Sequence, residues 1–318
     1  MMPSVAEASR GAAGSAAVLA RHARRRRYLI AYLFILPTFV VLGYFTYYPA
    51  FTALAGAFTS WDGFNSPTFV GLDNFKAIVT DPTMQTAAVN NLIWAAFGIA
   101  LSVIPAFVVA ELIFHVKRAR LKYVYRTLFI VPIVVPSIVN ILLWRYIYDA
   151  HGLLNLFLQA LHLQDPTNPT LWIADPHIAL YAVALLGFPW INSFNMLIFY
   201  AGLQNIPSEV LEAAGLDGVS GIRRVWTMDI PLVLSQFRLL LILVIVNTIS
   251  NITTPLVMTN GGPGNATDVP ALEMYNNAVN GRFGYSMAIS FLLFLVVLAL
   301  TVLNNRFIRP SDEKARVA

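Results

Sequence analysis

An all-α bundle of about six membrane-crossing helices is the fold class this sequence predicts. Three observations carry it. Of the 318 residues, 58% are hydrophobic and 12% charged, against about 45–50% apolar and about 25% charged in an ordinary soluble domain. Apolar runs long enough to cross a bilayer recur along the whole chain. Between them, Lys and Arg crowd into every second loop.

The runs lie at about 28–50, 88–115, 123–148, 178–202, 232–257 and 285–308. Each reaches the ~20 residues that cross ~30 Å of hydrocarbon at about 1.5 Å per residue. The first follows Arg24-Arg25-Arg26-Arg27. A secretory signal would have an apolar core of only about 7–15 residues and a small-residue cleavage site. This run is longer and shows no such site, so it reads as a retained helix. The Ala-rich tail at 1–27 is expected to be disordered, and 310–318 reads as a second short tail. A short basic linker alone divides the second run from the third. Pro37, Pro105, Pro132, Pro136 and Pro189 fall inside runs, where neighbouring helices and polar side chains can satisfy the freed backbone groups.

Charge then orients the chain. Arg10, Arg21 and the arginine run precede the first span, and Lys117, Arg118, Arg120, Lys122 and Arg126 follow the second. Arg223 and Arg224 follow the fourth span, and Arg306, Arg309, Lys314 and Arg316 close the chain. The other loops hold only Lys76 and Arg282. Such alternation predicts a multi-pass protein with both termini in the cytoplasm.

The external loops carry turn signals at Trp61-Asp62-Gly63, Asp81-Pro82, Asp165-Pro166 and Asp175-Pro176. Asn260-Gly261-Gly262-Pro263-Gly264 lacks the Gly-Lys-Ser/Thr ending of a nucleotide loop and reads as a turn. Cysteine is absent, histidines are few and scattered, and no Walker sequence occurs. No catalytic group, metal site or cofactor is therefore expected in this chain, and nothing suggests nucleic acid.

The stretch 203–231 stands apart, because it is neither apolar enough to span nor polar enough to be a plain loop. Pro207 suits a first helical turn and Glu209 complements the helix dipole. A helix would run through Glu212-Ala213-Ala214, with Gly218 as a left-handed cap. Ser220 can cap a second short helix, on which Ile222, Val225 and Trp226 share a face. The product is a helix–turn–helix on the cytoplasmic surface.

Glu212-Ala213-Ala214, three residues, Gly218, nine residues, then Met228-Asp229-Ile230-Pro231 resembles the EAA motif of ATP-binding-cassette importer permeases. The spacing is kept, with Met for Ile and Ile for Leu in the closing element. Leu203-Gln204-Asn205-Ile206-Pro207, Thr259-Asn260-Gly261-Gly262-Pro263 and Phe283-Gly284-Tyr285 are similar to the carbohydrate-importer branch, which includes the maltose-transporter permease. The resemblance implies a MetI-like type I importer fold in a bacterial or archaeal plasma membrane. It also implies a second homologous permease, a homodimeric cytosolic ATPase that holds ATP and Mg, and an extracytoplasmic substrate-binding protein. Glu212, Ala213, Ala214, Asp217 and Gly218 would dock the ATPase.

Polar residues inside spans are costly against lipid and tend to face a cavity. In the fifth span, Asn247, Thr248, Asn251 and Thr254 recur at spacings of three or four, which predicts one helical stripe. In the fourth, Trp190, Asn192 and Asn195 fall near the middle. Amides, hydroxyls and an aromatic face suit a sugar, while interhelical hydrogen bonding would use the same groups. The resemblance favours Thr248 and Asn251 as sugar contacts. Glu111, near the end of the second span, is a candidate proton-relay carboxylate. Four residues before His115 and close to Lys117 and Arg118, it reads better as an interfacial structural residue, and Arg145 and Asp149 read as a helix pair. An ion-coupled secondary transporter is the rival reading. It would call for mid-span carboxylates and an inverted repeat.

Overall fold

The computed structural model describes residues 28–308, so the tails at 1–27 and 310–318 lie outside the described residues. Contacts divide the chain into two units, Met1–Ala55 and Gly56–Ala318. The first consists, where described, of most of helix α1, Tyr28–Gly56. It passes through Pro37 without a break and adopts a π-helical turn at Gly43–Tyr47.

The second unit opens with an antiparallel ribbon, β1 (Thr59–Ser60) and β2 (Thr68–Phe69), pairing Thr59 with Phe69. The connecting turn forms because the Asp62 carboxylate accepts from the N–H groups of Phe64 and Asn65, at 3.0 and 2.8 Å. Those bonds hold the Asp62 carboxyl below the usual carboxylate range. Helix α2 spans Asp73–Thr80 and α3 spans Pro82–Phe114. Asp81 starts α3 by accepting from the Thr83 N–H at 2.9 Å, with Pro82 in the first turn, where its missing N–H costs nothing. The helix therefore begins six residues before the expected 88, and Pro105 does not interrupt it.

Elsewhere the expected spans are broken. Helices α4 (Ala119–Ile130) and α5 (Ser137–Ile147) flank a tight turn at Val131–Val134 and meet at 90°. Pro132 and Pro136 bracket this bend, each removing a backbone donor. After α6 (Leu153–Ala160), Asp165 and Asp175 make the expected turns by accepting from Thr167 and His177. The fourth predicted span is two short helices, α7 (Ala179–Ala184) and α8 (Ser193–Gln204), around a non-helical stretch that contains Pro189. Helix α9 (Ser208–Leu216) follows, then α10 (Gly221–Arg224) and a π-helical turn at Val225–Asp229. Helix α11 (Leu234–Ile249) leaves the preceding segment at 70° and stops short of the expected 257. Helices α12 (Thr253–Met258), α13 (Pro270–Val279) and α14 (Phe283–Phe307) complete the chain.

Among the described residues, three helices are long and apolar enough to cross a membrane, and five crossings result if each bent pair counts as one. Several of the six apolar runs are thus met by broken rather than continuous helices. The apolar pattern reports burial in lipid or protein, and both straight helices and broken ones satisfy it.

Three apolar clusters hold the second unit together. Val103, Phe107 and Ala110 of α3 meet Met196, Phe199 and Leu203 of α8 and Leu240 of α11. Trp94 of α3, Ile141 of α5, Val183 of α7 and Met258 of α12 form the second, with Leu272 of α13. Ile78 of α2, Met84 of α3 and Ile289 of α14 form the third. Long α3 takes part in all three and serves as the mast of the unit. The outer side of α14 leaves Phe294, Leu298, Val302 and Phe307 exposed, as a surface solvated by lipid requires.

Candidate functional site: a polar cavity and a surface helix–turn–helix

The breaks in the predicted spans coincide with a cavity of about 670 Å³, within the range of small-molecule sites. Ser102 of α3, Ser137 and Asn140 of α5, Trp190 and Asn192 of the α7–α8 stretch, and Asn247, Thr248, Asn251 and Thr254 all line it. The expected stripe of Asn247, Thr248, Asn251 and Thr254 does not lie on one helix, because α11 ends at Ile249 and α12 starts at Thr253. The groups still converge. They do so because the chain breaks between them, not because it continues.

The amides are polarised by their own backbone bonds. Asn251 Oδ1 accepts from the Thr254 N–H at 3.0 Å, and Asn192 Oδ1 caps α8 by accepting from the Asn195 N–H at 3.1 Å. Asn247 Nδ2 donates to the Leu243 carbonyl at 2.7 Å. Two amides thus leave their NH₂ groups for the cavity, and the third leaves its carbonyl oxygen. Trp190 is 70% exposed on the cavity wall, so its ring face is available to an apolar surface.

Asn195 departs from expectation. It is 3% exposed, and its Nδ2 donates to the Ser102 carbonyl at 3.0 Å, tying α8 to α3. It is a packing residue, absent from the cavity lining. Arg145 and Asp149 do not pair either. The Arg145 guanidinium donates to the Val257 carbonyl at 2.9 Å, while Asp149 accepts from the His151 N–H. Sequence reasoning also missed Asn140, although a lone amide in an apolar run was the available signal.

The second region is the stretch 203–231. Helix α9 runs through Glu212-Ala213-Ala214 as expected, with Pro207 at its N-cap, one position before the expected first turn. Gly218 has φ +71° and closes the helix as the left-handed residue expected there. Ser220 stands at the N-cap of α10 without forming a side-chain cap bond, because Gly221 also turns left-handed at φ +56°. Glu212, Ala213, Asp217 and Gly218 are exposed, and Ala214 is buried. Ile222 and Trp226 stand 73% and 69% exposed, whereas Val225 packs on the first apolar cluster. A shallow hollow between the two arms is lined by Glu209, Ala213, Asp217, Val219 and Met228.

Beneath this hairpin the structure assembles a group that the sequence left scattered. One ligand atom each of Glu111, His115 and Asp229 lie within 4.8 Å of one another. Asp229 is fully buried and pairs with Arg224, Nε to Oδ2 3.2 Å. The Arg224 guanidinium also lies over the Phe114 ring, at 5.6 Å from its centroid.

On the opposite loops, Asn90 Nδ2 of α3 donates to the carbonyls of Asn265 and Asp268, both at 3.0 Å. This clamps the Asn260–Gly264 turn, in which Asn260, Gly261 and Gly264 take positive φ. Burial beside Glu273 pushes the Asp268 carboxyl up to about 7.

Residues 112–311 match the family described as binding-protein-dependent transport system inner membrane component. The chain is 33% identical over 286 residues to the sn-glycerol-3-phosphate transport system permease protein UgpA of Agrobacterium fabrum, covering 88% of this chain and 94% of that one. It is 28% identical to the probable ABC transporter permease protein YurN of Bacillus subtilis, covering 90% of this chain and 98% of its relative. Among solved structures, a bacterial alginate ABC transporter crystallised with an alginate pentasaccharide-bound periplasmic protein superimposes with a TM-score of 0.75. The identity there is 16%, over 89% of this chain and 95% of that one.

Proposed function

The chain belongs to the family of binding-protein-dependent transport system inner membrane components, and on that premise we propose how its two regions divide the work of an ABC importer permease. The segment 203–231 docks a separate cytosolic ATPase. The cavity passes a sugar or oligosaccharide handed over by an extracytoplasmic binding protein. A second, homologous permease completes the pathway, and the ATPase subunits bind ATP with Mg.

The observation that carries this reading is the exposed hairpin of α9 and α10. Its small residues Ala213 and Gly218 stand on the surface, and two left-handed glycines set its turn. Nothing lies within 4 Å of a Cβ built at Gly218 or Gly215, so within this chain the hairpin has room that a partner could fill. ATP-driven closure of the ATPase dimer would pull on α9. Asp229 and the π-helical turn would carry that pull to the Val233–Leu240 face of the first apolar cluster. The cavity above would then open outward, receive the substrate, and return inward after hydrolysis.

The substrate class rests on the cavity lining. Its amides, hydroxyls and Trp190 offer hydrogen bonds and a ring face, the chemistry that hydroxyl-rich ligands use. The Lys and Arg distribution supports a cytoplasmic hairpin and external turns at 59–70 and 259–268.

Pull-down of the cognate ATPase with the permease tests the docking role, and uptake into proteoliposomes tests the transport role. Cysteines at Ser220 and Ser66 provide the orientation. Ser220→Cys is expected to label from the cytoplasmic side and Ser66→Cys from outside. External labelling of Ser220→Cys would sink the docking assignment.

A further inference from the structure

The linker between α3 and α4 holds positive charge that the rest of the chain leaves unanswered. Lys117, Arg118 and Arg120 stand exposed, and no Asp or Glu occurs between Glu111 and Asp149. The ion pairs among the described residues join other groups, Lys76 with Asp73, His115 with Glu111 and Arg224 with Asp229. Two further cations nearby are already engaged. The Lys122 ammonium donates to the Phe114 carbonyl at 2.9 Å, and the Arg126 guanidinium lies over the Tyr123 ring, 5.8 Å from its centroid. Helix α4 adds to the excess. Arg118 is its N-cap, no side chain caps it, and its first turn holds no acidic residue. The positive end of the helix dipole therefore lies among the same three cations, where an anion would be favoured.

The two sides of α4 differ. Phe129 and Ile130 pack on the first apolar cluster. Leu121, Val124, Tyr125 and Leu128 recur at i, i+3, i+4 and i+7, which sets them in one stripe, and they are 40–61% exposed. The stripe is about 10 Å long at seven residues of helical rise, and the three cations stand at its N-terminal end. With α5, α4 forms one of the bent pairs apolar enough to cross a membrane. The chain thus offers an apolar strip to the bilayer with free positive charge at the edge of that strip.

We propose that this linker and stripe bind an anionic phospholipid. Its headgroup phosphate sits among Lys117, Arg118 and Arg120, and an acyl chain follows Leu121 to Leu128. Free phosphate or an acidic protein surface would answer the charge and leave the stripe bare. A zwitterionic lipid would cover the stripe and leave the charge unbalanced. An anionic lipid does both, in the order in which the residues occur. The leaflet rests on the orientation proposed above, in which the Lys and Arg bias puts the linker at the cytoplasmic face. The headgroup preference does not depend on it.

Native mass spectrometry of the assembled transporter reads that preference. The complex is released from nanodiscs of equal parts phosphatidylglycerol and phosphatidylcholine with matched chains. A cation near a membrane surface is worth about fivefold, so three should favour phosphatidylglycerol by at least about tenfold after screening by salt. The parent should retain one phosphatidylglycerol per copy of this chain that the combined variant Lys117→Gln, Arg118→Gln, Arg120→Gln releases. The three side chains are exposed, so the variant should assemble as the parent does. Equal retention of phosphatidylglycerol by parent and variant, or an equal loss of phosphatidylcholine in the variant, would overturn the site.

A nitroxide on Leu128→Cys reads the stripe, since the chain has no cysteine of its own. In proteoliposomes, oxygen should relax the label more strongly than a water-soluble nickel chelate. Access to neither would mean that a protein subunit covers the stripe, and greater access to nickel would mean that water does. Either result overturns the lipid site. External labelling of Ser220→Cys would move the site to the outer leaflet and leave both readouts as they are.

Discussion

The cavity and the hairpin are built by opposite uses of the same chain. The cavity exists because helices stop. Breaks at 131–136, 185–192 and 250–252 bring Asn140, Asn192 and Asn251 to one hollow, and each break sets a proline or an amide at the start of the helix that follows. The hairpin exists because two short helices are completed and joined tightly, with glycines at φ +71° and +56°. Polar groups in the first region line a hollow and already hold backbone hydrogen bonds. In the second they stand in the open. A ligand in the hollow would meet amides fixed by those bonds with their other ends free, whereas a protein at the hairpin would meet a surface with nothing to displace.

Substitutions in the two regions should separate accordingly, with the largest effect at the hairpin. Gly218→Asp adds a charged side chain where a partner would approach, and it strains a left-handed position. ATPase recovery in a pull-down should fall by at least about 2 kcal/mol, roughly thirtyfold, as for a central interface residue. Glu212→Lys should act in the same direction. Normal membrane insertion of both should be verified by protease accessibility, and full ATPase recovery would remove the contrast between the regions.

Asn251→Leu should do the reverse. It removes an amide that the cavity wall presents, worth about 1.5 kcal/mol or roughly tenfold in uptake. ATPase recovery and binding-protein-stimulated hydrolysis should stay at the parent level. Uptake kinetics identical to the parent would return Asn251 to helix capping alone.

Asn195→Ala sharpens the boundary of the cavity. This amide is buried against the Ser102 carbonyl, so its loss should lower the thermal stability of the detergent-solubilised permease by about 1–3 kcal/mol. The apparent KM for uptake should not move. A raised KM with unaltered stability would return Asn195 to the cavity.

The smallest effect belongs to Gly218→Ala. With no atom within 4 Å of the added methyl, only the strain of a left-handed alanine remains, about 1 kcal/mol. ATPase recovery should fall only a fewfold. A loss as large as that of Gly218→Asp would mean that the partner approaches closer than a methyl group allows.

What could be read beforehand differs between the regions for the same physical reason. The hairpin is local. Pro207, Glu212 and Gly218 act on neighbours within a few residues, so their spacing already specified α9 and its cap. The cavity and the buried Glu111/Asp229 group depend on residues brought together from distant segments. Prolines were visible inside the apolar runs, yet Pro37 and Pro105 stay within continuous helices, while Pro132 and Pro136 mark a 90° bend. Whether a helix continues through a proline or breaks there is set by its surroundings, which the residue itself does not record. Asn251 followed by Thr253, Thr254 and Pro255 was a readable helix start, masked by the apolar residues on both sides. Nothing local links Glu111 with Asp229, 118 positions apart in the numbering, and only the packing of the hairpin on α3 brings them together.

The polarised amides give the cavity a directional preference. Asn251 and Asn192 have committed their oxygens to backbone N–H groups, and Asn247 has committed its nitrogen to a carbonyl. None of the three can rotate by a half-turn without losing that bond. With one end of each amide held, an incoming hydroxyl would find wholly free NH₂ groups at Asn251 and Asn192 and a wholly free carbonyl oxygen at Asn247. Fluorine in place of a hydroxyl keeps a weak acceptor and loses the donor. A fluorinated sugar analogue would accordingly be tolerated better opposite Asn251 and Asn192 than opposite Asn247. Such a wall would distinguish not only where oxygens sit on a ligand but which way their hydrogens point.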